Sequence, residues 1–383
     1  MEPTAGGDDR RRMAEALDLA RRGRGSTSPN PLVGAIVVRD GVVVGSGFHE
    51  RFGGPHAELG ALEQSGDRAR GATMYVTLEP CCTWGKTPPC TDAIIDAGVA
   101  RVVTPILDPN PSVNGRGVDA LRRAGIDVDV GVLSSQAEAL NAPYLKFRRT
   151  GYPFVRLKLA VSLDGRVGAP HGPRWISCEE SRELVHAMRA EADCVMVGIG
   201  TVLEDDPLLT DRRPGDGRRQ PSRLVVDSRL RLSPDAALVA DAASIPTAVA
   251  CGPAADPSRA SELEGRAVAV WRCPEGPAGL DLAAVLREAA GRGLLDLLCE
   301  GGPRLATSLL RERLVDAVAV FVAPSFIGSD GVAALGPLSG LTEGASALSN
   351  VRWRTVGRDL LVEADVGDAA GGARREEESC SRG

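Results

Sequence analysis

Lysine is almost absent from this chain: among 45 basic residues only Lys86, Lys146 and Lys158 are lysines, which makes each of the three informative. Aromatic residues are equally scarce, at 3% of 383. The core must therefore be built from Val, Leu, Ile and Ala, and no aromatic-plus-basic surface for stacking single-stranded nucleic acid is in sight. A net charge of −6 also argues against broad nucleic-acid binding, which favours a basic face. Nine cysteines are too few for a disulfide scaffold at this length, and an odd count points to thiols or metal ligands. No uncharged apolar run approaches the roughly 18 residues needed to span a bilayer. The stretch MEPTAGGDDRRRMAEALDLARRG has no apolar segment of the secretory type, so the expectation is a cytoplasmic protein. With 43% apolar and 25% charged residues the chain is neither disordered nor fibrous, and its length suggests two domains at about 150 residues each.

Residues 10–24 read as an amphipathic helix carrying Met13, Ala16, Leu17 and Ala20 on one face. Two Val-rich runs then flank Asp40-Gly41, a dipeptide suited to a type I′ hairpin turn. A helix opens near His56, a strand is predicted over MYVTLEP, a helix begins near Cys90, and ARVVTPILD and IDVDVGVL read as further strands. After the junction APYLKFRRTGYP a second α/β pattern starts. Its strands are predicted at FVRLKLAVS, CVMVGIG, SRLVVDS, TAVACG, AVAVW, LDLLCEGG and AVAVFVAP, with helices over about 180–190 and after Gly302. Residues 367–383, rich in Gly, Ser and charge, read as a disordered tail.

His56-Ala57-Glu58, Pro80-Cys81 and Cys90 form the first constellation. One imidazole and two thiolates fill three tetrahedral positions of Zn2+ and leave the fourth for water. A glutamate two residues after the histidine can shuttle protons to a leaving amine, as in the zinc-dependent nucleobase deaminases. The cysteine spacing, C-x8-C, departs from the C-x2-C of that group, and Cys82 is a rival ligand. By spacing alone, a metal site and an ordinary buried His and Cys set stand level.

The surrounding strings TLEPCCTWGKTPPCTDAIIDAGVARVV, NPLVGAIVV and DPNPSVNGRG resemble the deaminase half of the bacterial RibD family, bifunctional deaminase–reductases of riboflavin biosynthesis in which the long spacing is normal. The resemblance implies His56, Cys81 and Cys90 as zinc ligands and Glu58 as proton shuttle. It implies Asn30, His49, Lys86 and Thr87 as holders of the pyrimidine and its ribose phosphate; a point positive charge at Lys86 suits a phosphate. Thr83-Trp84 stand where the family often has a histidine and a second aromatic ring. The plainer readings are a surface histidine for His49 and a turn residue for Asn30.

In the second half, Gly198-Ile199-Gly200-Thr201 and Glu300-Gly301-Gly302-Pro303 each follow a strand and open a helix, an arrangement that lets backbone amides approach phosphate. Neither is GxGxxG, and glycine turns at strand ends are the default in α/β folds. The strings LKLAVSLDGRV, RWIS, VGIGTVLEDDPLLTDR, LVVDS and CEGGPRLATSLL resemble the reductase half of the same family, whose fold is dihydrofolate-reductase-like. That resemblance implies NADPH bordered by Ala160, Trp175, Thr201, Asp205, Ser228 and the loop carrying Gly302, Pro303 and Arg304. It places the substrate against Arg189, Leu209, Arg212 and Glu300, with Lys158 and Asp164 at the reactive end and Lys158 as the catalytic group. Lys158 can equally be an outward residue of an alternating strand. Pro173 stands where the family usually has a phosphate-contacting serine.

The combined expectation is an α/β protein. Residues 1–146 form a three-layer α/β/α cytidine-deaminase-like domain, 147–366 a dihydrofolate-reductase-like domain and 367–383 a tail. Zinc-dependent deamination of 2,5-diamino-6-(5-phosphoribosylamino)pyrimidin-4-one is followed by NADPH-dependent reduction of the ribosyl group to ribityl. Partners are a phosphorylated aminopyrimidine and a second copy of the chain, a homodimer by resemblance, with no nucleic acid and no membrane. The alternatives are a paralogue acting on a related aminopyrimidine, or a chain that keeps one of the two activities.

Overall fold

A computed structural model describes residues 6–84, 88–169, 175–215, 219–276, 279–338 and 348–367. The chain divides into two compact units, one built on the residues up to Phe154 together with Leu286–Leu295, the other on Val155–Val285 and the residues from Asp296 onward.

The first unit carries α1 (Gly7–Arg21), β1 (Gly34–Arg39), β2 (Val42–Phe48), α2 (Ala57–Ser65), β3 (Thr73–Val76), α3 (Cys90–Asp96), β4 (Arg101–Thr104), α4 (Arg116–Arg123), β5 (Asp127–Val130), α5 (Ser134–Leu140) and α6 (Ala142–Thr150). The sheet runs β2-β1-β3-β4-β5. The β1–β2 and β1–β3 pairs are antiparallel, and the β3–β4 and β4–β5 pairs are parallel. Successive strand residues face opposite sides, and β1 shows what that does here. Ile36 and Val38 meet Met13, Leu17 and Ala20 of α1 together with Leu140 and Tyr144. Ala35 and Val37 meet Ala57 and Ala61 of α2, Ile94 of α3, and Val118 and Leu121 of α4. Two apolar layers on one sheet make the three-layer α/β/α architecture that was expected. The hairpin turns at Asp40-Gly41, both with positive φ (51° and 76°), and Arg39 pairs with Val42 across it. Such angles suit a type I′ turn.

Two boundaries differ from the expectation. The strand predicted over MYVTLEP ends at Val76, because Pro80 offers no N–H to a ladder and the Glu79 N–H is taken by the Ile106 carbonyl at 3.2 Å. The expected division after residue 146 falls inside α6, and the units part at Phe154/Val155, where a new strand begins.

The second unit opens with β6 (Phe154–Ser162), β7 (Arg166–Gly168), α7 (Glu179–Glu191), β8 (Cys194–Gly198), α8 (Ile199–Asp205) and β9 (Ser222–Val226). It continues with α9 (Ala237–Ala240), β10 (Thr247–Cys251), α10 (Pro257–Glu264), β11 (Val268–Arg272), β12 (Glu275–Gly276), β13 (Gly279–Leu280), the start of α11 (Leu282–Gly291), whose residues from Leu286 belong to the first unit, β14 (Asp296–Cys299), α12 (Pro303–Arg311), β15 (Ala317–Ala323), β16 (Val332–Ala333), β17 (Leu348–Val356) and β18 (Asp359–Val366). Its nine-stranded sheet runs β11-β10-β9-β8-β14-β6-β15-β18-β17, with an antiparallel β15–β18–β17 edge. The β17–β18 hairpin is absent from the expected strands, although its Val, Trp and Thr residues and the two-residue turn at Gly357-Arg358 signal it. The parallel β8, β9 and β14 end together, so the loops after Gly198, Val226 and Cys299 share one edge of the sheet. Open α/β sheets bind ligands at such carboxyl ends. Among the described residues no helix is long and apolar enough to cross a membrane.

Candidate active sites

In the first unit, His56 stands at the start of α2 and Cys90 at the start of α3. Two glycines set the approach: a Cβ at Gly47 would strike the carbonyl oxygen of Ala57, and one at Gly117 would strike that of Pro80. Residues with side chains at these positions would push α2 off β2 and α4 off the Pro80-Cys81 loop. The loop is further fixed by Glu79, whose buried carboxylate accepts four backbone N–H bonds, from Asp108, Gly115, Gly117 and Val118, at 2.9–3.1 Å.

That framework brings His56, Cys81 and Cys90 together, with one donor atom from each lying within 4.8 Å of the others. His56 Nδ1 is 3.2 Å from Cys90 Sγ and 3.5 Å from Cys81 Sγ. Tetrahedral zinc, with Zn–N about 2.0 Å and Zn–S about 2.3 Å, requires about 3.5 Å between a nitrogen and a sulfur ligand. The donor set and its spacing therefore fit zinc. The Cys82 thiol is directed to the Ser112 carbonyl instead, at 3.9 Å. The Cys90 thiol, His56 and the Cys90 backbone N–H together hold the Cys81 thiol down to about 4, while Cys81 and burial push the Cys90 thiol up. Glu58, 3% exposed, is pushed up to about 7 by burial and by the neighbouring Cys81 charge. A carboxyl that titrates near neutrality suits proton transfer in either direction.

His56, Glu58 and Cys81 line a cavity of about 340 Å³. Asn30 and His49 line it too and are joined to each other: the His49 Nδ1–H donates to the Pro55 carbonyl (2.9 Å), leaving Nε2 to accept from the Asn30 amide (3.1 Å). Burial and the adjacent His56 lower the His49 pKa, against the Pro55 bond. His49 is buried, not on the surface. Thr83 also lines the cavity, whereas Trp84 is 76% exposed. Lys86 and Thr87 lie outside the described residues, as does Pro173. Sequence reasoning missed Asp108, Asn110, Tyr144 and Arg148, which line the cavity as well.

In the second unit Lys158, Arg189 and Glu300 come together. Arg189 grips the Glu300 carboxylate with Nε and a terminal nitrogen, at 2.6 and 3.1 Å, and Lys158 Nζ stands 3.8 Å from it. Burial alone would raise the Glu300 carboxyl, but Arg189 and Lys158 together hold it below the usual carboxylate range. Burial depresses the Lys158 ammonium, and Glu300 opposes that. Lys158 is thus a half-buried group on the β6 face opposite Leu157 and Leu159, turned toward Glu300. Ala160, on the same face, packs beside Phe321 and Met188. Thr201 and Gly302 adjoin: a Cβ on Gly302 would stand 3.2 Å from Thr201 Oγ1. Pro303 opens α12 directly after Gly302, with Arg304 exposed in its first turn. Asp205, Ser228 and Arg212 are exposed, and Trp175 lies 5.7 Å below the Arg182 guanidinium. Leu209 is 3% exposed with its side chain in the apolar core, so only its positive-φ backbone is available to a ligand. Asp164 is held down to about 2 by the Ser162 hydroxyl and the Gly328 and Ile327 N–H groups.

Comparison with known proteins agrees with both halves. Residues 7–105 match the cytidine and deoxycytidylate deaminase zinc-binding region, and residues 153–362 match the RibD C-terminal domain. The riboflavin biosynthesis protein RibD of Aquifex aeolicus is 43% identical over 84% of this chain and 88% of its own length. The chain belongs to the RibD family. Among solved structures, Acinetobacter baumannii RibD has a TM-score of 0.83 at 35% identity, covering 94% of this chain and 99% of that one. A diaminohydroxyphosphoribosylaminopyrimidine deaminase/5-amino-6-(5-phosphoribosylamino)uracil reductase from Thermotoga maritima has a TM-score of 0.78 at 34% identity, with coverage of 94% and 99%. As a RibD-family member, the chain is a riboflavin-biosynthesis enzyme with a zinc-binding deaminase domain and a reductase domain of the dihydrofolate-reductase-like class.

Proposed function

We propose that this enzyme deaminates 2,5-diamino-6-(5-phosphoribosylamino)pyrimidin-4-one and then reduces the ribosyl group of the resulting uracil to ribityl with NADPH. The convergence of His56 Nδ1 and the Cys81 and Cys90 sulfurs beside buried Glu58 carries the reading. His56, Cys81 and Cys90 hold zinc, which when bound supplies the Lewis acidity that makes water a nucleophile near neutral pH. Glu58 takes the proton from the attacking water and delivers it to the exocyclic amine, which leaves as ammonia. Asn30 and His49 orient the pyrimidine; Lys86 and Thr87 hold its ribose phosphate.

In the reductase half, Thr201, Gly302, Pro303 and Arg304 cradle the dinucleotide phosphates, with Ala160, Trp175, Asp205 and Ser228 along the same nucleotide. The missing Cβ at Gly302 lets the Thr201 hydroxyl come close to the start of α12. NADPH held there supplies a hydride. Lys158 keeps an exchangeable proton in a buried site, while Arg189, Arg212, Glu300 and the Leu209 backbone frame the substrate. The enzyme works in the cytoplasm as a homodimer.

Following ammonia release and NADPH oxidation separately on the phosphoribosyl diaminopyrimidine tests the scheme. Ammonia should appear first and NADPH consumption should follow. A chelator should stop the first signal and leave reduction of the preformed uracil intact. Ammonia release that survives zinc removal would contradict the assignment.

A further inference from the structure

We propose that Arg148 is a phosphate-reading residue of the deaminase pocket, positioned by Tyr144 and Asp108; the proposal rests on the deaminase reading above. Among the described residues that line the cavity, Arg148 is the one with a fixed positive charge. The same cavity reaches His56, Glu58 and Cys81, so a ligand with its reacting carbon at that end can extend its charged arm toward α6. Arg148 is exposed at the rim, whereas Tyr144 beneath it is buried. This arrangement leaves a phosphate partly hydrated while its cation is held in place.

The support under Arg148 is built. Its guanidinium stands 5.2 Å from the Tyr144 ring centre and 5.8 Å from that of Phe147. Cations favour such ring faces, and the planar guanidinium fork matches phosphate oxygens. The Tyr144 hydroxyl donates to both oxygens of buried Asp108, at 3.0 and 3.1 Å, and Asp108 also accepts from the Asn110 N–H at 2.9 Å. That bond anchors the hydroxyl end of the ring, and burial of Tyr144 holds the plane of the platform under the guanidinium. Asp108 and Tyr144 are therefore positioning residues, and Arg148 makes the contact.

Arg149 gives an internal control. It lies on the same helix with the same charge, but pairs with Glu138 and does not line the cavity.

The experiment compares deamination of the phosphorylated aminopyrimidine with that of its dephosphorylated nucleoside, in the zinc-loaded full chain. Arg148→Met should raise KM for the phosphorylated substrate by about 10- to 100-fold, the worth of a hydrogen bond to a charged group. Its kcat should fall no more than about threefold, and KM for the nucleoside should hardly move. Arg148→Lys should recover part of the loss, Tyr144→Phe should show a smaller loss of the same kind, and Arg149→Met should leave the ratio between the two substrates unchanged. Intact reductase turnover in the same preparations reports that the chain has folded. An unchanged ratio in Arg148→Met, or an equal change in Arg149→Met, overturns the proposal and leaves the deaminase reading standing. A wild-type enzyme that releases no ammonia from either substrate overturns that reading and this proposal with it.

Discussion

The two halves solve the problem of buried charge in opposite ways. In the reductase half the charges pair within the site: Glu300 is gripped by Arg189 and faced by Lys158, so one carboxylate answers two cations. In the deaminase half two thiols, an imidazole and a carboxyl crowd together, and the protonation of the thiols is pushed apart, one down and the other up. The first is a network of ion pairs held within the fold. The second is a set of donors whose strain a divalent cation relieves.

That contrast predicts different responses to removing one member. Glu300→Gln should leave two buried cations without their counter-charge, and breaking a buried pair costs about 3–5 kcal/mol. Reduction of the uracil should fall by more than about 100-fold and the thermal midpoint of the reductase half should drop, with ammonia release unchanged. A variant of full reductase activity and stability would show that the closed network is not needed.

A smaller effect belongs to Asp9, which Arg101 grips through two nitrogens at 3.0 and 2.9 Å and to which Tyr75 donates at 2.7 Å. The Arg101 hydrogen bond comes first among the causes that, against burial, hold the Asp9 carboxyl below its usual range. Its folded pKa is below the unfolded value of about 3.9. The contribution is therefore present above that pH and is lost as pH falls through the folded pKa. Asp9→Asn should cost the deaminase half about 1 kcal/mol at pH 7 in denaturant unfolding. The wild-type and variant curves should converge once the pH is below the folded pKa of Asp9; a difference that persists in acid would mean that the pair does something else.

Much of this was legible in the residues. His56-Ala57-Glu58 and the two cysteines name their chemistry because a metal needs few donors of restricted type, and helix starts deliver them. Cys81 was preferred to its rival Cys82 from the preceding Pro80 and from the resemblance, and the fold adds that the Cys82 thiol turns to the Ser112 carbonyl. Asp108, Tyr144 and Arg148 were invisible as a group: the sequence separates them widely, and each is ordinary alone. Glu79 was passed over as part of a strand because its role, collecting four N–H groups from a later loop, has no local pattern. In the reductase half, Lys158 could be read as inward or outward until Glu300 and Arg189 were found against it. At Leu209 the sequence does not show that the side chain belongs to the core and only the backbone faces outward.

The most direct test of the account is Glu58→Gln, read for zinc and ammonia in one preparation. The ligands are untouched, so one zinc per chain should remain, while ammonia release falls by about 10²–10⁴-fold, the usual contribution of a positioned proton carrier. Reduction of the preformed uracil should continue at the wild-type rate. A variant that keeps its zinc and releases ammonia as fast as the wild type would contradict the account, because the proton would then travel by a route that does not include this carboxyl.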